Sequence, residues 1–239
     1  MARRRFFVDA IRGGSAELRG DDARHLTRVL RVEPGQRFEI SDRRAAWLAE
    51  VAEARGEHVL FRVLEPVETA EMPVQLALYA ALIKFDRFEW LVEKATELGV
   101  ERIQPLETAR SEKGLLEASR KRLERWQRIA REAGQQSRRL RAPEIGAAAP
   151  WPAALAAAAN RRYFLEEGAA PPLLKTLPAV RTPQAEVALL TGPEGGWTEG
   201  ERQAAAAAGW QPVSLGPQVL RAETAALAAI ALVMNAWLP

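Results

Sequence analysis

The strongest constraint on this chain is a change of pattern at residues 65–73, Glu-Pro-Val-Glu-Thr-Ala-Glu-Met-Pro. Two prolines and the lack of hydrophobic period mark a linker. After it, continuous apolar runs alternate with helical stretches. Strands are predicted at 74–83, 100–105, 163–166, 186–191 and 212–215, and helices at 86–98, 117–136, 201–208 and 222–237. Apolar strands separated by helices require a parallel sheet covered on both faces. Gly99 is placed to close the first of these helices. Before the linker, short turn-bounded strands at 6–8, 37–41, 46–51 and 59–63 predict a compact β-barrel. One helix over 23–31, capped by Asp21 or Asp22, interrupts them; Leu26, Val29 and Leu30 form its apolar stripe at i, i+3, i+4. Alanine runs at 147–149, 156–159 and 204–208 read as helix filler.

Composition narrows the chemistry. The 239 residues suffice for two modest domains, divided here as 1–70 and 74–239. With no cysteine, the chain has no disulfide, no thiolate metal site and no cysteine nucleophile. His25 and His58 are the only imidazoles, so no metal centre is expected. The longest apolar run near the C-terminus has ten residues, 225–234, where a membrane span needs ~20. The basic start lacks the apolar stretch of a secretion signal. A soluble, cytoplasmic protein without a membrane partner is expected.

The net charge of +3 conceals clustering. Residues 110–141 hold eleven Lys or Arg against four acids, +7 locally. Arg3, Arg4 and Arg5 are consecutive, and Arg24, Arg28 and Arg31 flank His25 along the first helix. Arginine supplies 29 of the 34 basic residues; its planar fork suits phosphate and stacks on bases. A solvated helix face with pairs such as Glu124 and Arg128 accounts for the same charge equally well.

Two C-terminal segments carry the chemistry. In Leu190-Thr191-Gly192-Pro193-Glu194-Gly195-Gly196, an apolar strand runs into a glycine-rich turn and a helix start. The spacing matches neither a Walker loop nor the dinucleotide fingerprint. In Ser214-Leu215-Gly216-Pro217-Gln218-Val219-Leu220-Arg221-Ala222-Glu223-Thr224, a second short strand ends at the mouth of an almost wholly apolar helix. Glu223 and Thr224 suit a helix N-terminus. Arg221 does not, because a cation there opposes the helix dipole, so a negative partner is expected.

Together the two segments closely resemble the ribosomal-RNA uridine-N3 methyltransferases of the SPOUT class, which act on small-subunit (16S) RNA. His25-Leu26-x-x-Val29-Leu30-Arg31, Lys84, Lys94-Ala95-Thr96-Glu97-Leu98-Gly99 and Gln136-Ser137-x-Arg139 extend the resemblance over nearly the whole chain. The chain departs from the family in being rich in Ala and Arg, and in carrying Val219 where another aliphatic residue is common. The resemblance implies an α/β fold: an N-terminal PUA-like β-barrel, then a SPOUT domain with a deep trefoil knot that binds S-adenosylmethionine and pairs as a homodimer. The implied cofactor residues are Leu165, Glu166, Leu190, Thr191, Gly192, Pro193, Glu194, Gly195, Gly196, Ser214, Leu215, Gly216, Val219, Leu220 and Thr224. Removing the uridine N3 proton leaves negative charge on the flanking carbonyls, which a cation would stabilise. Arg221 is the first candidate for that cation and Arg139 the second. Glu223 and Glu194 are candidate bases, whereas Glu97 is taken as structural. Carbon methylation of a pyrimidine typically needs a thiol, which this chain lacks.

The implied partner is 16S rRNA, free or in the assembled small subunit. Candidate contacts are Arg3, Arg5, Arg24, His25, Arg28 and Arg31 in the first domain, and Lys84, Arg87, Lys94, Arg110, Arg138 and Arg139 beyond it. Because N3 lies on the pairing edge, the target base must be unpaired or extruded. Two alternatives stand beside this reading: a catalytically silent RNA-binding assembly factor, and a ribose 2′-O-methyltransferase.

Overall fold

The structure, a computed structural model, describes residues 4–238; Arg3 lies outside the described residues. The chain forms two compact units. The first comprises Met1–Glu71 with Arg131–Ala142, the second Met72–Ala130 with Pro143–Pro239.

The first unit is built on a six-stranded sheet. Its strands are β1 (Arg5–Phe7), β2 (Ile11–Arg12), β3 (Ser15–Arg19), β4 (Arg37–Ser41), β5 (Ala46–Arg55) and β6 (His58–Val67), in the order β1-β4-β5-β6-β3-β2. Phe6, Leu18, Leu26, Ile40, Val51, Val59 and Phe61 fill its core. The expected linker is shorter than its prolines suggested. Pro66 and Val67 still pair with Trp47 and Ala46, because proline is tolerated near the end of a strand.

The helix of this unit departs most from expectation. Only Asp21–Arg24 (α1) is α-helical, and His25–Val29 is a π-turn, closed by Leu30 N–H to the His25 carbonyl at 3.0 Å. The wider turn breaks the expected stripe. Leu26 is fully buried, whereas Val29 is 65% exposed and Leu30 45% exposed. Thr27 Oγ1 donates to the Gly56 carbonyl at 2.5 Å and fastens the turn to the β5–β6 hairpin.

Arg5 is a second departure. A surface position was expected, but its guanidinium is buried, donating to Glu39 Oε2 at 2.9 and 3.1 Å and to the Arg138 carbonyl. Residues 131–142 belong to this unit through similar contacts. Arg131 and Gln135 both donate to Asp22, and Ser41 Oγ donates to the Leu140 carbonyl.

The second unit alternates strand and helix. It contains β7 (Val74–Ala81), α2 (Phe85–Glu97), β8 (Arg102–Glu107), α3 (Leu115–Ser119), α4 (Leu123–Gln136, whose last turns lie in the first unit), β9 (Glu144–Ile145), β10 (Ala149–Pro150), β11 (Arg161–Leu165), α5 (Leu173–Thr176), β12 (Ala185–Thr191), α6 (Glu199–Ala207), β13 (Gln211–Val213) and α7 (Ala222–Ala236). Described pairings in its sheet are parallel, in the order β10-β8-β7-β12-β11-β13 with β9 beside β8. Successive side chains supply two cores. Leu76, Leu78, Val187 and Leu189 face the core shared with α2 and α7, while Tyr79, Ala188 and Leu190 face Trp197 and Trp210. Sequence periodicity therefore reads correctly here, and the fold is mixed α/β.

Two helical expectations shift. The single helix over 117–136 divides into α3 and α4, because Ser119 Oγ bonds back to the Leu116 carbonyl and competes with the backbone ladder. The alanine run at 204–208 is mostly helical; 147–149 and 157–159 are not, and a 3-10 turn, Trp151–Ala156, stands between them. Gly99 caps α2 with φ +98°. Among the described residues, no helix is long and apolar enough to cross a membrane.

Removing one member of a buried ion pair leaves the other charge unpaired. Arg5→Ala is therefore expected to lower unfolding stability by about 3–5 kcal/mol in urea titrations. A loss below about 1 kcal/mol would mean the guanidinium is solvated.

Candidate functional site

A cavity of about 260 Å³ opens in the second unit beyond the carboxyl ends of β11, β12 and β13. Open parallel sheets place ligands at such strand ends. Three short segments enclose the cavity: Leu165, Glu166 and Glu167 at the end of β11; Thr191, Gly192, Pro193, Glu194, Gly196 and Trp197 at the end of β12; and Leu215, Gly216, Gln218, Val219, Leu220 and Arg221 after β13. Val213, Ala222 and Ala225 complete it.

Trp197 is the fixed point of the wall. Its indole N–H donates to the Leu165 carbonyl at 2.9 Å, and its ring stacks on Phe164 at 4.7 Å. A Cβ on Gly192 would come within 2.9 Å of that indole, so glycine is required for the turn to pass over the ring. Gly216 is needed for its backbone, with φ +131°. Ser214 Oγ bridges the Gly216 amide and carbonyl and shapes the loop after β13 from outside the wall.

Charge is arranged around this frame. Arg202 of α6 donates twice to Glu166, at 2.5 and 3.1 Å, and once to the Trp197 carbonyl at 3.0 Å. Those bonds hold the Glu166 carboxyl below its ordinary range against the upward push of burial. Arg87 of α2 donates to Glu194 at 3.2 Å and lies 3.9 Å from Glu223. Glu223 is buried, and its Oε2 has no hydrogen-bond partner among the described residues. Arg221 occupies the N-cap position of α7, exposed on the cavity side without a capping bond.

The expected cofactor residues divide. Leu165, Glu166, Thr191, Gly192, Pro193, Glu194, Gly196, Leu215, Gly216, Val219 and Leu220 line the cavity. Leu190 does not, because strand alternation turns it into the core. Gly195 lies against Arg110, and Thr224 is exposed on α7 outside the wall. Glu167, Trp197, Val213, Gln218, Ala222 and Ala225 were not singled out from sequence. Of the catalytic candidates, Arg221 and Glu194 line the cavity, Glu223 stands behind it, and Arg139 is buried in the first unit.

The expected RNA contacts also divide. Arg28 and Arg31 are exposed, and Arg24 is exposed but paired with Asp21 and Glu57. His25 accepts from Arg4 at 3.3 Å. Lys84 is exposed before α2, and Arg138 is exposed with its guanidinium 3.7 Å from Glu39. Lys94 bonds Glu93 and Glu97, which raise its pKa. Arg110 donates to the Gly195 carbonyl at 2.8 Å.

The Glu166 and Arg202 pair predicts a pH dependence. A carboxyl with a depressed folded pKa contributes stability above its unfolded value and loses it as pH falls through the folded one. Arg202→Gln should therefore flatten the loss of thermal stability below about pH 5, measured as Tm against pH. An unchanged acid limb would show the pair to be solvent-screened.

Comparison with known proteins agrees with this geometry. A family model described as an RNA methyltransferase domain matches residues 70–234, and one described as an RNA methyltransferase PUA domain matches 18–64. A ribosomal RNA small subunit methyltransferase E from Synechocystis is 38% identical over 222 residues, covering 87% of this chain and 68% of the relative. One from Mycobacterium bovis is 31% identical, covering 97% and 92%. The crystal structure of a ribosomal RNA small subunit methyltransferase E from Neisseria gonorrhoeae, bound to S-adenosyl methionine, superposes with a TM-score of 0.87 at 31% identity, covering 99% and 98%. With the matching domain spanning most of its length, this chain belongs to the RNA methyltransferase family.

Proposed function

We propose that this chain methylates N3 of a uridine in small-subunit ribosomal RNA, using S-adenosylmethionine. The observation that carries the reading is the cavity at the ends of β11, β12 and β13 in a chain of this family. Its residues suit that cofactor. Leu215, Val219, Leu220 and Ala225 give apolar surface for a flat ring, while Glu166, Glu167 and Glu194 place carboxylates where a cationic ligand is favoured. When bound, S-adenosylmethionine supplies an already electrophilic methyl group.

The chain's own residues then have three tasks. Trp197 and the apolar wall exclude water and fix orientation. Arg221 stabilises the charge that develops on the carbonyl oxygens flanking N3 as its proton leaves. Glu194, in the wall, is the candidate to accept that proton; Arg87, which lies 3.9 Å from Glu223, donates to Glu194 at 3.2 Å. Absence of any thiol favours transfer to nitrogen over ring carbon.

The same reading takes 1–70 as a PUA-like β-barrel that grips RNA and 74–239 as a knotted cofactor domain that pairs as a homodimer in the cytoplasm. In support of the knot, β12 inserts between β7 and β11, both earlier in the chain.

Incubation of undermodified small ribosomal subunits with labelled cofactor, followed by nucleoside mapping, tests the reaction. A methyl group on ribose or ring carbon would overturn the N3 assignment. Arg221→Ala should lower kcat roughly 10²-fold with little change in cofactor affinity; near-wild-type turnover at saturating RNA would remove its electrostatic role. Gly192→Ala should weaken cofactor binding about tenfold in calorimetry, because the added methyl displaces the Trp197 indole.

A further inference from the structure

The first unit carries a π-turn at His25–Val29. A π-turn departs from the regular helical ladder and is frequent at functional sites. Here it turns two aliphatic side chains, Val29 and Leu30, out of the core and into solvent. The next residue, Arg31, has φ +49°, a left-handed conformation uncommon for arginine. Several interactions hold the turn in this shape. Leu26 is fully buried beneath it, and Thr27 Oγ1 donates to the Gly56 carbonyl. Arg4, which lies over the Phe6 ring at 5.6 Å, donates to His25 at 3.3 Å. The exposed pair is therefore presented by a fixed backbone.

Charge indicates what the pair meets. Arg28 and Arg31 flank it, both exposed, and neither has an ion-pair partner among the described residues. Arg24, one turn earlier, is instead committed to Asp21 at 2.6 Å and Glu57 at 3.3 Å. Two free guanidinium groups on either side of an aliphatic knob complement a polyanion that also offers an apolar face. Unstacked RNA has both: phosphates along the strand and bases whose rings pack on apolar side chains.

We infer that this turn is a wedge for an unpaired nucleotide: Val29 and Leu30 pack on its base, and Arg28 and Arg31 neutralise the flanking phosphates. The inference rests on the RNA methyltransferase reading and adds a contact made far along the sequence from the cofactor loops. It also separates two kinds of contribution. Arginine contacts release counterions and give binding its salt dependence; the aliphatic contact does not.

The test compares Val29→Ser/Leu30→Ser with Arg28→Gln/Arg31→Gln, measuring binding to naked small-subunit rRNA and to assembled small subunits over a range of salt. All four side chains are solvent-exposed, so both variants should keep the wild-type Tm and cofactor affinity. The serine variant is expected to bind naked RNA roughly tenfold more weakly with an unchanged salt slope. The glutamine variant should have a slope shallower by about 0.7 for each arginine removed. Wild-type affinity of the serine variant for naked RNA would overturn the wedge. If that variant lost affinity only for assembled subunits, the pair would be a protein contact, which also overturns it. If the wild-type chain bound cofactor but no RNA, the substrate reading itself would fail; a defect confined to the variants concerns the wedge alone.

Discussion

The hydrogen bond from the Trp197 indole to the Leu165 carbonyl is the contact on which the site depends. It joins the loop after β12 to the end of β11, and the ring it fixes is stacked on Phe164 and packed near Trp151. A Cβ on Gly192 would meet that ring at 2.9 Å, and Arg202 reaches the Trp197 carbonyl from α6 while binding Glu166. One indole therefore sets the position of two cavity walls and, through Arg202, of a carboxylate. Gly192 and Gly195 serve protein packing first, against Trp197 and Arg110; close approach of a ligand comes as a consequence of the shape they permit.

Electrostatics in the second unit follow from the same crowding. Arg87 and Arg202 each engage a carboxylate of the cavity wall, so these cations brace the site. Arg221 differs because its position at the start of α7 opposes the helix dipole and no capping bond compensates. The cost of holding a cation there is consistent with a role toward negative charge in the cavity.

The alternation of strands and helices was legible because buried strands and amphipathic helices have different hydrophobic periods, and β7, β12 and α2 express those periods cleanly. The two glycine-rich loops were legible as a site because each follows a strand and opens a helix. Other features had no sequence signal. Whether Leu190 faced the cavity or the core depended on its exact register, and Trp197, Gln218 and Ala225 joined the wall only through tertiary packing. A π-turn differs from an α-helix by one hydrogen-bond step, which the spacing of Leu26, Val29 and Leu30 could not reveal. Three successive arginines suggest a surface, whereas strand alternation and Glu39 draw Arg5 inward.

The first unit is discontinuous in sequence, and this bears on how the molecule is made. Phe7, Asp22, Glu39 and Ser41 have partners at Arg131, Gly134, Gln135, Arg138 and Leu140. A ribosome that has released only the first 71 residues has delivered the sheet without the segment that satisfies these groups. The buried Arg5 and Glu39 pair must then wait for more than half of the chain to emerge before its surroundings are complete. Synthesis order and domain order thus diverge: the unit that begins first is finished only after much of the second has been translated. A fragment cut at the linker would carry the strands of the first unit but lack the segment that closes it.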